Sequence, residues 1–206
     1  MKIVLASGNA GKLKELGELL APHALELIAQ GTLGIEPAEE TGCTFIENAL
    51  EKARHASRES GLPALADDSG ISVASLNGAP GVYSARFAGP NATDADNKAR
   101  LLETLKEAGS LGEDNAPTDR TRAHYYCVIV LLRHPEDPTP LVASGRWDGQ
   151  ITGTPSGTNG FGYDPYFWLP ERGMTAAELS PDEKNRISHR GQAVRALCRQ
   201  LETSFG

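Results

Sequence analysis

Lys2-Ile3-Val4-Leu5-Ala6-Ser7-Gly8-Asn9-Ala10-Gly11-Lys12-Leu13 decides the fold class. A short apolar run ends in Gly and Asn, and from there Leu13, Leu16, Leu19 and Leu20 recur on one helical stripe. Strand, tight loop and helix in immediate succession open an α/β protein. Outward from this stretch the alternation continues. Residues 25–29 read as a second strand, and Thr44 with Glu47 forms a capping box ahead of a helix reaching Ser60. Ile46, Ala49, Leu50, Ala53 and Ala56 line one face of that helix, and Asn48 and Lys52 lie one turn apart on another. Residues 62–67 and 71–75 read as short strands around Asp68-Ser69-Gly70, and Asn77-Gly78 is a turn signal. Thr93, with Asp96 at the third position, caps a helix through Ala99, Leu102 and Leu105. Residues 111–119 read as a loop, the apolar residues 125–132 as a central strand, and residues 141–151 as another strand. Ser180-Pro181-Asp182-Glu183 opens a helix, and the terminal helix buries Ala193, Val194, Leu197 and Leu201. No repeat, low-complexity tract or Pro/Gly linker divides the 206 residues, so residues 1–206 read as one domain.

Composition narrows the function classes. Hydrophobic residues at 39% and charged residues at 23% supply a real core. No run approaches the ~18 apolar residues of a membrane span. The first residues turn polar at Ser7 and lack a secretory hydrophobic region, so a cytoplasmic location is expected. Twenty basic against 27 acidic side chains give a net charge of −7, without the basic surplus of a nucleic-acid binder. Small anionic ligands stay open, because a few lysines and backbone N–H groups hold a phosphate against an unfavourable net field. Cys43, Cys127 and Cys198 stand far apart, which excludes a CxxC pair or a zinc framework and leaves reduced thiols.

Three stretches carry candidate chemistry. Ser7-Gly8-Asn9-Ala10-Gly11-Lys12 is not a P-loop, since only two residues separate Gly8 from Gly11-Lys12 and Leu13 follows. Its physics still suits phosphate: small residues admit an anion, helix-opening N–H groups face it, and Lys12 adds charge. An ordinary Asn-Gly turn with a solvated lysine is the alternative. Asp67-Asp68-Ser69-Gly70 places a carboxylate at a strand end, a ligand type that Mg²⁺ takes while it touches substrate phosphates. Adjacent strand residues point to opposite faces, so at most one of the two carboxylates addresses a given site. Glu39 or Glu40 can add a second ligand, and an Asx turn is the competing explanation. Lys184 with His189-Arg190-Gly191 gathers three cationic groups, or else a plain charged helix face. An Asp68/Ser69/His189 hydrolytic triad is discounted, because Ser69 lacks the G-x-S-x-G elbow.

These stretches belong to a longer ordered set. Ser7-Gly8-Asn9-Ala10-Gly11-Lys12, Phe45-Ile46-Glu47-Asn48-Ala49, Ala66-Asp67-Asp68-Ser69-Gly70, Gly78-Ala79-Pro80-Gly81-Val82-Tyr83-Ser84-Ala85-Arg86, Gly160-Phe161-Gly162-Tyr163-Asp164-Pro165 and Ser188-His189-Arg190-Gly191 span almost the whole chain. Together they resemble the inosine/xanthosine triphosphate pyrophosphatase family, its bacterial dITP/XTP branch in particular. The resemblance implies an elongated mixed sheet with flanking helices, two lobes around a central cleft, and a homodimer with residues 81–86 near its interface. It implies hydrolysis of non-canonical purine nucleoside triphosphates (dITP, ITP, XTP) to the monophosphate and pyrophosphate with Mg²⁺. It further implies that Ser7, Gly8, Asn9, Ala10, Gly11 and Lys12 hold the phosphates and that Asp68 is the base and metal-linked carboxylate. Ser69 would touch substrate, with Glu40 and Lys52 near the phosphates and Glu40 as a metal ligand. Phe161, Gly162, Tyr163, Asp164, Lys184, His189 and Arg190 would form the nucleotide and base pocket. There Arg190 or a backbone N–H would donate to a 6-oxo group, and Asp164 or a backbone carbonyl would accept from N1–H. The residues leave open whether Asp68 takes a proton itself or works through the metal, with Asp67 fixing it. A broader or pyrimidine-directed pyrophosphatase and a non-catalytic nucleotide-binding module are the competing readings; the latter would need no Asp68.

Overall fold

The computed structural model describes residues 2–23 and 25–204. Its principal elements are β1 (Lys2–Leu5), α1 (Ala10–Leu20), β2 (Glu26–Ala29), α2 (Phe45–Ser60), β3 (Ala64–Val73), α3 (Asp94–Glu107), β4 (Arg122–Leu132), β5 (Leu141–Ile151), β6 (Phe167–Leu169), β7 (Met174–Thr175), α4 (Pro181–Ile187) and α5 (His189–Ser204). The strands form one mixed sheet in the order β2-β1-β3-β4-β5-β6-β7. No helix among the described residues is long and apolar enough to cross a membrane.

The chain divides into two compact units, residues 1–68, 127–145 and 189–206, and residues 69–126 and 146–188. In the first, β1 runs parallel to β2 (Ile3↔Leu27) and to β3 (Leu5↔Leu65). Parallel neighbours need crossovers, and α1 and α2 supply them. Its core packs Ile3, Leu5, Leu16, Leu20, Leu65, Ile129, Leu131, Val194 and Leu197. In the second unit β5, β6 and β7 are antiparallel, and Tyr125, Trp147 and Phe167 centre a separate core with ring centroids 4.6 and 5.2 Å from Phe167. The burial of β4 changes along its length: residues 122–126 alternate, as on a strand with one covered face, whereas residues 127–132 are buried without interruption. The change falls where the strand passes from the second unit to the first.

Three capping boxes hold the helix starts, at Thr44–Glu47, Thr93–Asp96 and Ser180–Glu183. Two expectations are corrected. The two short strands expected around Asp68-Ser69-Gly70 are one continuous strand, β3. Turn-forming residues stay extended here because their polar groups find partners: Lys12 and Arg190 for Asp67, Lys52 and Asn48 for Asp68. Gly70 permits the close approach that follows, since a Cβ there would lie 2.4 Å from both Gly81 O and Ser84 Oγ. Ile46 is 46% exposed in the first turn of α2. The covered face uses Asn48, Ala49, Ala53, Ala56 and Ser57, small side chains that let a helix backbone approach its neighbours.

The cysteines give a direct check on this packing. Cys43 is exposed, while Cys127 and Cys198 are buried, and burial pushes the Cys127 thiol up to about 12. Since the thiolate is the nucleophile, Ellman's reagent is expected to titrate Cys43 alone in the native protein and all three thiols in denaturant. Prompt native reaction of two or three would contradict the buried positions.

Candidate active site

The residues singled out in the sequence fall into two constellations, one in each unit. In the first, the chain leaves β1 and enters α1 through Ser7, Gly8 and Asn9. Asn9 caps the helix, its Oδ1 accepting the Lys12 N–H at 3.0 Å, and its own N–H donates to Ser7 Oγ at 3.3 Å. A Cβ on Gly8 would meet nothing within 4 Å, so the loop leaves open space beside the helix N-terminus.

Asp67 and Asp68 follow at the centre of β3 and face different partners, as alternation along a strand requires. Asp67, 1% exposed, lies 3.1 Å from Lys12 Nζ and 3.2 Å from an Arg190 guanidinium nitrogen. Arg190 also donates to Glu15 of α1. Burial alone would raise the Asp67 pKa, but the charges of Lys12, Arg190 and Lys52 outweigh it and hold the carboxyl well below the usual range. Asp68 behaves oppositely. Burial raises its pKa above the ordinary value, against the pull of Lys52 and Lys12. Lys52 Nζ sits 2.8 Å from Asp68 Oδ1 and 2.8 Å from Glu40 Oε1. Burial pulls the Lys52 pKa down, yet the neighbouring carboxylates of Asp68, Asp67 and Glu40 keep it raised. The outcome is one carboxylate locked as an anion and, beside it, one with a raised proton affinity.

The second constellation surrounds Asp164, which is 2% exposed. Its Oδ2 accepts the Phe161 N–H at 2.9 Å and Lys184 Nζ at 2.7 Å, and the ammonium lies 4.9 Å from the Phe161 ring centroid. Gly160 has φ +75°, and a Cβ there would stand 2.0 Å from Asp164 Oδ2, so this turn admits only glycine. The Gly162 N–H donates to Asp94 at the start of α3. Tyr163 is 4% exposed and donates its hydroxyl to Ser84 O at 2.8 Å, a bond that ties down the turn through residues 81–86. Ser69 is half-buried on β3.

His189 and Arg190 open α5 in the first unit, and the Arg190 guanidinium is engaged by Asp67 and Glu15. A guanidinium stripped of water needs carboxylate partners, and these two supply them. Asn48, Glu15 and Asp94 take part without having been assigned to the site from sequence. The first two carried a signal: Asn48 precedes Lys52 by one helical turn, and Glu15 follows Lys12 by three residues on α1.

Mg²⁺ is commonly bound through one or two carboxylates together with substrate phosphates. Asp68 and Glu40 already share one cation, the Lys52 ammonium, so their oxygens fit such an ion. Among the described residues no cluster of three or more His, Cys, Asp or Glu side chains forms a cage.

The model of the Ham1 family matches residues 3–200. The chain is 57% identical over 200 residues to a dITP/XTP pyrophosphatase of Shigella flexneri, covering 97% of this chain and 98% of the relative. It is 56% identical to the protein of the same description from Escherichia coli K12, with the same coverage. Among solved structures, a HAM1 protein from Coxiella burnetii superposes with a TM-score of 0.88 at 49% identity, over 99% of this chain and all of that one. The Staphylococcus aureus Ham1 protein gives 0.81 at 38% identity, over 98% and 99% of the two chains.

Proposed function

The chain belongs to the Ham1 family, and from that premise we propose that it hydrolyses dITP, ITP and XTP to the nucleoside monophosphate and pyrophosphate. The observation that carries the reading is the geometry at Asp67 and Asp68, adjacent carboxylates that face different cations, Lys12 and Arg190 for the one and Lys52 for the other, beside a helix N-terminus open to an anion. A triphosphate carries about four negative charges, which Lys12, Lys52 and the N–H groups at the start of α1 offset. Asp68, held by Lys52 and Asn48, orients a water toward the α-phosphorus and accepts its proton. Cleavage there releases pyrophosphate intact. Mg²⁺ held by Asp68 and Glu40 would neutralise phosphate oxygens, including those of the leaving group. Ser7, Gly8, Asn9, Ala10 and Gly11 line the phosphate end, and Ser69 touches the substrate. Phe161, Gly162, Asp164 and Lys184 take a purine base, and Tyr163 and His189 lend support from buried positions. Incubation with ITP and Mg²⁺ is expected to yield IMP and pyrophosphate in equal amounts. IDP with orthophosphate, or no turnover, would overturn the reading.

Base selection follows from hydrogen bonding. A 6-oxo purine presents an acceptor at position 6 and a donor at N1, and adenine reverses both. With a backbone N–H donating and Asp164 or a backbone carbonyl accepting, adenine sets donor against donor and acceptor against acceptor, at ~1–3 kcal/mol for each mismatched group. The expected preference for ITP over ATP is at least ~100-fold in kcat/KM. ATP within tenfold of ITP would defeat the scheme. Because Arg190 is engaged by Asp67 and Glu15, Arg190→Ala should depress all substrates alike rather than the 6-oxo ones selectively.

A homodimer belongs to the same proposal. Tyr83 is 57% exposed and carries the Arg86 guanidinium 5.3 Å from its ring centroid, a pair of residue types enriched at interfaces. Light scattering at micromolar concentration is expected to give twice the chain mass of 21.9 kDa, and a monomer mass would remove the dimer.

A further inference from the structure

We infer that Asn48 is a positioning residue: its side-chain amide holds Asp68 and the loop carrying Glu40 in one arrangement, so that both carboxylates face the same cation. The inference rests on the pyrophosphatase reading and names a residue that serves that site without touching substrate.

Asn48 is 1% exposed on α2, one turn before Lys52, so both side chains leave the same helix face. Its Nδ2 donates to Asp68 Oδ2 at 3.2 Å, and its Oδ1 accepts the Gly42 N–H at 2.8 Å. A carboxylate only accepts and a backbone N–H only donates, so the amide oxygen and nitrogen cannot be interchanged. Lys52 spans the same two pieces, from Asp68 Oδ1 to Glu40 Oε1. Each oxygen of Asp68 is thus held by a different side chain.

The two holds are not equivalent. An ammonium is a compact charge with rotatable donors on a flexible stem. Lys52 alone therefore attracts the carboxylate without fixing its plane. A second bond, to the other oxygen from a short buried amide, removes that rotation. Asn48 can do this because its turn of helix is itself fixed: Thr44 and Glu47 exchange capping bonds there, with the Thr44 N–H to Glu47 Oε2 at 2.9 Å. The loop end is equally constrained. A Cβ on Gly42 would lie 2.6 Å from Glu47 Cβ and 2.7 Å from Asn48 Oδ1, so the backbone is pressed onto the helix start. Glu40 is two residues away, and its separation from Asp68 is set through this amide.

The test uses the full chain and two variants, with Mn²⁺ alone as the metal probe. Asn48→Ala removes both bonds. It is expected to lower kcat for ITP at least ~10-fold with KM changed by less than ~3-fold, and to weaken Mn²⁺ binding to the substrate-free protein at least ~5-fold by electron paramagnetic resonance. Asn48→Asp keeps an acceptor for Gly42 but cannot donate to Asp68. It should lose kcat to a similar extent without weakening Mn²⁺, which distinguishes orientation of Asp68 from loss of the loop or of the fold. Variants that stay folded by circular dichroism with kcat and Mn²⁺ affinity within twofold of wild type would overturn the inference while leaving the wild-type reaction in place. An inactive wild type would instead remove the reading beneath it. Should Asn48→Ala fail to fold, the kcat of Asn48→Asp decides.

Discussion

Asp68→Asn is expected to reduce kcat/KM for ITP by at least ~10³-fold, about 4 kcal/mol of transition-state stabilisation, while the protein unfolds within a few degrees of wild type. The two halves of this expectation have one cause. Burial raises the pKa of Asp68, so ionisation is harder in the folded than in the unfolded chain. Near neutral pH the ionised group therefore costs folding free energy. An amide of the same shape removes that cost, and Lys52 keeps Glu40 as a partner. What is lost is the proton acceptor and an anionic oxygen for a cation. Steady-state kinetics beside a thermal melt separate the two effects. Retention of more than about a tenth of kcat/KM, a loss under ~1.4 kcal/mol, would move Asp68 out of the central role.

Asp67→Asn, one residue away, should fail in the other direction. Its carboxylate lies between Lys12 and Arg190, and removing one partner of a buried ion cluster typically costs ~3–5 kcal/mol. At ~2–4 °C per kcal/mol for a chain of this size, the melting temperature should fall by roughly 10 °C. The pH dependence has a definite sign. The folded pKa of Asp67 is depressed, so its stabilisation is complete above the ordinary carboxylate range near pH ~4 and is lost as pH falls toward the folded value. The wild type should lose this contribution on acidification, and the variant should lack that part of the acid dependence. Melts from pH 7 downward test both, and a variant as stable as wild type at pH 7 would show that Arg190 and Glu15 suffice without the aspartate.

The sequence shows local order well and distant partners badly. β5 was readable to both ends because polar and apolar residues alternate along it, and the capping boxes were readable because each is confined to four residues. Asp68 and Lys52 could be identified as chemistry-bearing, but not that Glu40 and Asp68 share one ammonium. The run Asp67-Asp68-Ser69-Gly70 looked like a break since the groups that keep it extended come from α1, α2 and α5. The carboxylates that engage Arg190 were hidden for the same reason: they lie 123 and 175 positions away in the chain. The two cores left no linker signal, because β3, β4 and β5 each run from one unit into the other.

Those shared strands also constrain how such an enzyme changes over evolutionary time. Neither unit is a contiguous gene segment: one is assembled from three stretches of chain and the other from two. A recombination event that exchanged the second unit as a cassette would have to cut through strands at several places and rejoin them in register. On the proposed assignment, new base preferences would be reached by substitution within the turn at residues 160–164 and in α4, where Phe161, Asp164 and Lys184 stand. A library confined to those positions leaves the Asp67 and Asp68 constellation unaltered in sequence, and swapping homologous fragments breaks both cores at once.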